Sequence, residues 1–195
     1  MKFLTAAALA LFAAAPVLAA PVTIDFETAP DWAPIADHYA SSGVSFGGGA
    51  DGLQNSDPDF PFFSNAPSAL GIMVGNTGPA LMNVAGGFSG DFSFWYSSFG
   101  AVTGGVSIWS GLNGTGDLLA SFDLTGNAQD GCDDSAFCNF DKLSTTLSGI
   151  AYSVSFAEAI GFDDVTFNDV PEPASALLMS LGLVGMAAAA RRRRK

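Results

Sequence analysis

Positive charge is nearly missing from the centre of this 195-residue chain. Between Asp25 and Asp169 there are eighteen carboxylates and one cation, Lys142, which leaves the stretch close to −17, while the other six Lys and Arg residues sit at the two ends. Such a field repels phosphate backbones and anionic headgroups, so nucleic acid is excluded as a partner and divalent cations or basic molecules are the natural counterparts. The plainer reading is that acidic surface keeps an exported protein soluble. Histidine is scarcer still: His38 stands alone, and with only two cysteines a zinc site lacks ligands. Those two, Cys132 and Cys138, lie six apart and predict a local disulfide closing a surface loop in an oxidising compartment. So small a ring contributes roughly 2 to 3 kcal/mol. Helical periodicity and internal repeats are also missing.

What the centre does contain is alternation of apolar and polar residues, punctuated by Gly, Asn, Asp, Ser and Pro. Over 22–27 the apolar side chains occupy the even positions; Phe92, Phe94 and Tyr96 form one inward set, and Leu118, Ala120, Phe122 and Leu124 another. Further strands are predicted at 43–46, 69–74, 80–84, 105–109, 141–147, 150–156 and 162–167. Ten short strands predict an all-β, jelly-roll-type sandwich, with seventeen Phe residues to fill a core from two inner faces. Residues 47–67, rich in Gly, Asp, Asn and Pro, read as a long loop, and loops of that length are usually functional. Their aromatics Phe60, Phe62 and Phe63, together with Trp109, are candidates for stacking on sugar rings.

The two ends carry addresses. Lys2, an apolar segment over 3–15 and Pro16-Val17-Leu18-Ala19-Ala20 predict a signal peptide, 1–19, cleaved after Ala19; an uncleaved anchor would be short for a membrane span. At the other end stand Val170-Pro171-Glu172-Pro173, an apolar run over 174–190 and Arg191-Arg192-Arg193-Arg194-Lys195. Seventeen helical residues cover about 25 Å, enough for a thin bilayer, with the terminal cations on the cytoplasmic side. Residues 20–169 are then one exported domain and 170–195 a sorting tail. This tail closely resembles the PEP-CTERM domain of Gram-negative bacteria, which the membrane protease exosortase cleaves near Pro171-Glu172-Pro173 in species that export a polysaccharide matrix. The resemblance implies passage through the Sec translocon, signal peptidase and exosortase. The chain would be anchored in the inner membrane before processing, and afterwards would reside at the cell surface or in a biofilm's exopolysaccharide.

Placed in order, Ile24-Asp25-Phe26-Glu27, Tyr39 with Gly43-Val44-Ser45-Phe46, and Gly161-Phe162-Asp163-Asp164-Val165-Thr166-Phe167 resemble the bodies found ahead of such tails. More loosely they resemble MAM-like and carbohydrate-binding-module jelly rolls. That resemblance implies neighbouring first and last strands, with a structural calcium ion beside them.

Asp25 and Glu27, two apart on one predicted strand, would share a face with Cα atoms about 7 Å apart, and terminal-strand pairing would bring Asp163 or Asp164 close. Calcium takes six to eight oxygens, so the four carboxylates are candidate ligands. The competing readings are solvated surface and a glycosidase carboxylate pair. A second acidic group, Asp130, Asp133, Asp134, Asn139 and Asp141, surrounds the cysteines without matching the twelve-residue calcium loop. Gly43-Val44-Ser45-Phe46-Gly47 fits the G-x-S-x-G pattern, but no helix is predicted after it and the only histidine lies upstream. Asn113-Gly114-Thr115 reads as a hairpin turn. The sequence therefore predicts an exported, non-enzymatic surface or matrix protein. Alternatives are a lectin-like module with structural calcium, a coat protein without a defined ligand, and a secreted hydrolase.

Overall fold

A computed structural model describes residues 20–56, Asp59, 61–170 and Gly182; the signal segment, Phe60 and the Pro171-Glu172-Pro173 motif lie outside the described residues. Residues Ala19–Val170 make one compact unit. Among the described residues no helix is long and apolar enough to cross a membrane.

Alternation builds seven strands: β1 Pro21–Ile24, β2 Val44–Gln54, β3 Gly71–Ser98, β4 Val102–Trp109, β5 Leu118–Leu124, β6 Asp141–Phe156 and β7 Ile160–Asp169. The ten predicted segments lie on or within two or three residues of these strands, but several are merged. Those at 69–74, 80–84 and 92–96 are stretches of the single β3, and 141–147 with 150–156 are both β6. The glycines between them bend strands instead of ending them: register between β3 and β6 slips around Phe88, and pairing resumes on either side.

The hydrogen-bonded order is β1-β7-β3-β6-β4-β5, with β2 also on β3, and every pairing is antiparallel. Because β3 and β6 are long and bent, the network folds over itself into a sandwich. Residues 80–83 of β3 pair with β2 and 153–156 of β6 with β4, whereas further along β3 its residues 92–98 pair with β7 on one side and 90–96 with 141–147 of β6 on the other. Phe94 crosses the gap, meeting Phe122 of β5 edge-on at 5.1 Å and Phe156 at 6.4 Å. Ring edges placed against ring faces in this way add to the gain from burial alone. First and last strands are neighbours, Ile24 opposite Val165.

Three expectations need correction. The loop predicted over 47–67 begins only after Gln54, because β2 continues through its glycines. A side chain at Gly48 would collide with the Pro79 carbonyl, so those glycines permit close pairing rather than a turn. The strand predicted over 22–27 stops at Ile24: Phe26 adopts φ 56° and inserts its ring against Tyr39 and Phe46, so Asp25 and Glu27 do not share a strand face. Leu118, expected inward, is exposed at the end of β5, where the register with β4 shifts.

A second, smaller cluster lies outside the sandwich. Leu53, Phe63, Ile72, Val74, Phe137 and Phe140 bury one another, with Trp95 packed against them. The opening of β3 is thus covered on both faces: Met73 belongs to the main core, and Ile72 and Val74 to this cap.

Candidate functional site

An aromatic pair is fixed on the surface, Trp32 by the edge of β2 and Phe62 by the loop that enters the cap. Residues 31–36 run along the free side of β2, tied by Trp32 N–H to the Gly52 carbonyl (2.9 Å), Gly52 N–H to Ala33 (3.1 Å) and Ile35 N–H to Ala50 (3.0 Å). Asp31 Oδ1 accepts the Gln54 N–H at 2.9 Å. Gly52 must be glycine, since a Cβ there would strike the Pro30 carbonyl. These bonds hold Trp32 at φ 49°, a left-handed conformation that a bulky side chain adopts at a cost of roughly 1 to 3 kcal/mol. Its ring is nevertheless 51 % exposed.

Phe62 reaches the same place from the other side. Asn55 staples that loop, its Oδ1 accepting the Phe62 N–H at 2.9 Å and its Nδ2 donating to the Phe63 carbonyl at 2.6 Å. Phe137 N–H donates to the Phe62 carbonyl and Ser64 N–H to the Phe137 carbonyl, joining this loop to the cysteine loop. The Trp32 and Phe62 rings meet at 5.3 Å and 83°. Adjoining them is a recess of about 460 Å³ walled by Glu27, Asp31, Gln54, Asn55, Ser56 and the exposed Leu70. Its size falls within the range usual for small-ligand sites.

Of the aromatics expected to stack on sugars, Phe62 is on this face and Phe60 lies outside the described residues. Phe63 is a correction: it is 1 % exposed, because the cap needs its ring and alternate residues of the loop point opposite ways. Trp109 is half-buried on the outer side of β4, with its buried indole N–H near Gly114. Trp32 escaped the sequence reading. Its signal was a lone large aromatic between Asp31 and the turn-forming Ala33-Pro34.

Of the four carboxylates expected to bind an ion, Asp25 and Glu27 act on Asp164 near the end of β1, while the Asp163 carboxylate turns to Ser68. Asp163 is fully buried; its carboxylate accepts Ser68 N–H (3.0 Å), Ser68 Oγ–H (2.9 Å) and Asp164 N–H (2.7 Å), yet burial pushes it up to about 7. Asp164 is also raised, by burial first and then by the charge of Asp25, with Lys142 opposing. Glu27 Oε1 accepts the N–H groups of Leu70 (2.7 Å) and Gly71 (3.0 Å). The donors are hard oxygens of the kind calcium takes. Among the described residues, the one set of three ligand atoms within 4.8 Å of one another is Cys132, Asp134 and Cys138 instead. Both sulfurs there are spent in the expected disulfide, with Cα atoms 5.9 Å apart. Asp134 accepts a hydrogen bond from Ser64 at 2.7 Å, and Asn65 donates to the Cys138 carbonyl at 3.0 Å.

Ser45 of the G-x-S-x-G pattern sits inside β2 with no helix after it, and His38 bonds Thr28 at 3.0 Å. Asn113 is held by Asn83, in a turn as expected.

Residues 169–194 match the PEP-CTERM protein-sorting motif, which implies export, C-terminal membrane anchoring and processing by an exosortase. No curated protein sequence matches the chain. Among solved structures, the K2 cleaved adhesin domain of Lys-gingipain is similar at 16 % identity and TM-score 0.48, covering 77 % of this chain and 99 % of its own. A family 6 carbohydrate-binding module is similar at 13 % and 0.43, over 76 % and 94 %. The catalytic domain of a GH87 alpha-1,3-glucanase is similar at 10 % and 0.44, over 80 % and 29 %.

Proposed function

We propose that the exported domain is a non-enzymatic surface or matrix protein that holds extracellular polysaccharide on the Trp32–Phe62 face. One observation carries this reading: two exposed aromatic rings, one of them on strained backbone, are fixed by hydrogen-bonded loops beside a recess whose wall includes Glu27, Asp31, Gln54 and Asn55. Strain that is held in place while the side chain stays in water points to use of that side chain. Flat apolar rings with a few oriented polar groups are what a pyranose ring and its hydroxyls require. Ser45 is followed by more of β2 rather than by the turn and helix of a nucleophile elbow, which supports binding over hydrolysis at this serine. The tail would deliver the domain to the outer surface or matrix after exosortase cuts near Pro171-Glu172-Pro173.

A glycan array with the protein recovered from the extracellular fraction tests the binding, and mass spectrometry of the same material tests the route. Selective retention of particular glycans, on a chain that begins at Ala20 and ends near Pro173, is the expected result. Uniform failure to bind would leave a coat protein without a ligand.

A second reading concerns calcium at Asp25, Glu27, Asp163 and Asp164. The buried Asp163 favours it, because a bound cation would offset the desolvation that now raises this carboxyl. Millimolar calcium should then raise the melting temperature and EDTA lower it; no shift with either would remove the ion.

A further inference from the structure

The aromatic face is surrounded by charge of one sign. Asp31 is exposed next to Trp32 in sequence; its Oδ1 is engaged by the Gln54 N–H, whereas Oδ2 accepts a longer contact from Ser56 Oγ at 3.5 Å. Glu27, on the same recess, spends Oε1 on backbone N–H groups of Leu70 and Gly71. The one Lys or Arg among the described residues, Lys142, does not line the recess; it stands opposite Trp95 in register and acts on Asp164. The field over the whole domain, close to −17, has the same sign as the recess.

We propose that this face takes a glycan bearing protonated amines, a de-N-acetylated hexosamine chain, in preference to neutral or acidic polysaccharide. The inference rests on the glycan-binding reading above and names its ligand class. An ammonium group on the sugar ring meets the negative face of the Trp32 indole, and indole is the strongest of the aromatic cation acceptors. Asp31, and the free oxygen of Glu27, accept its N–H donors as charge-assisted bonds. The sugar keeps the apolar C–H surface that stacks on Phe62. Uronate, sulfate or phosphate groups would face carboxylates with no cation to receive them, and a neutral ring would leave both carboxylates without a counter-charge. The acidic field would also draw a cationic chain toward the surface before contact, an effect that salt screens.

Isothermal titration calorimetry on the full-length protein in mild detergent tests this, with trimers of glucosamine, N-acetylglucosamine, glucose and galacturonate at low and high NaCl. The glucosamine trimer should bind about tenfold tighter than its acetylated form at low salt, with the gap narrowing at high salt. Asp31→Asn should remove that preference, since the amide oxygen can still accept the Gln54 N–H but offers the ammonium no charge. Asp117→Asn, an equally exposed carboxylate between β4 and β5, is the charge-matched control and should leave the preference intact. Equal or tighter binding of the acetylated, neutral or acidic trimers would overturn the amine preference but leave the glycan face standing. Equal losses from Asp31→Asn and Asp117→Asn would also overturn it, by tracing the preference to overall charge. Binding of no trimer at all would overturn both readings.

Discussion

The two hydrophobic clusters differ in what their burial achieves. The inner one joins both faces of the sandwich through fully buried rings such as Phe88, Phe92, Phe94, Phe156 and Phe162, and most of its members lie on strands. The outer one joins loop to loop: Phe63 and Phe137 are bridged residues from segments about seventy positions apart, packed on Ile72 and Val74. The two clusters anchor different halves of the candidate site: Phe62 precedes the outer cluster's Phe63 and shares its Asn55 staple, whereas the segment carrying Trp32 is pinned by Ala29 and Ile35 of the inner cluster. Core burial makes the domain stable, and cap burial holds the Phe62 ring in place.

Mutations should separate these roles. Phe94→Ala removes a ring that contacts five other aromatics and should cost about 3 to 5 kcal/mol, seen as a lower midpoint in denaturant. Phe63→Ala should cost about 3 kcal/mol, at the low end of that range, because the loops can partly collapse onto the cavity. It should also weaken glycan binding by releasing Phe62. Equal losses of binding from the two, measured well below both melting temperatures, would erase the distinction between core and cap.

Proton linkage probes the junction where the cap meets β7. Asp163 has a folded value of about 7, above the ordinary carboxylate range, so the folded chain holds a proton that the unfolded chain has released. Its contribution is therefore full below about pH 4 and is lost as pH rises through 7, a change on the order of 4 kcal/mol at its limit. The melting temperature should fall between pH 5 and 8, and Asp163→Asn should flatten that slope. An unchanged slope would place the titration elsewhere. Smaller again is the disulfide: reduction, or Cys132→Ser with Cys138→Ser, should cost roughly 2 to 3 kcal/mol and loosen the cap before the sandwich, visible as hydrogen exchange concentrated at 128–138.

Strand positions were legible because alternation follows from a two-faced sheet, and the tail because its signal is linear. Continuity of β3 was not legible. Gly86 and Gly87 fall between two predicted strands, and only pairing with β6 on both sides makes the stretch one continuous strand. The β2 extension was hidden for a related reason, since Gly48 and Gly52 are glycine to admit neighbouring carbonyls that sequence does not reveal. At the site, Phe62 was legible as a loop aromatic, but Phe63 could not be told from it until Phe137 arrived from far along the chain. Trp32 depends on bonds to β2 that no local pattern encodes.

The most direct measurement is glycan affinity and melting temperature on Trp32→Ala. The ring is half exposed, so its removal should leave the melting temperature within about a degree or two while weakening binding tenfold or more. Undiminished affinity in a folded Trp32→Ala protein would contradict the account.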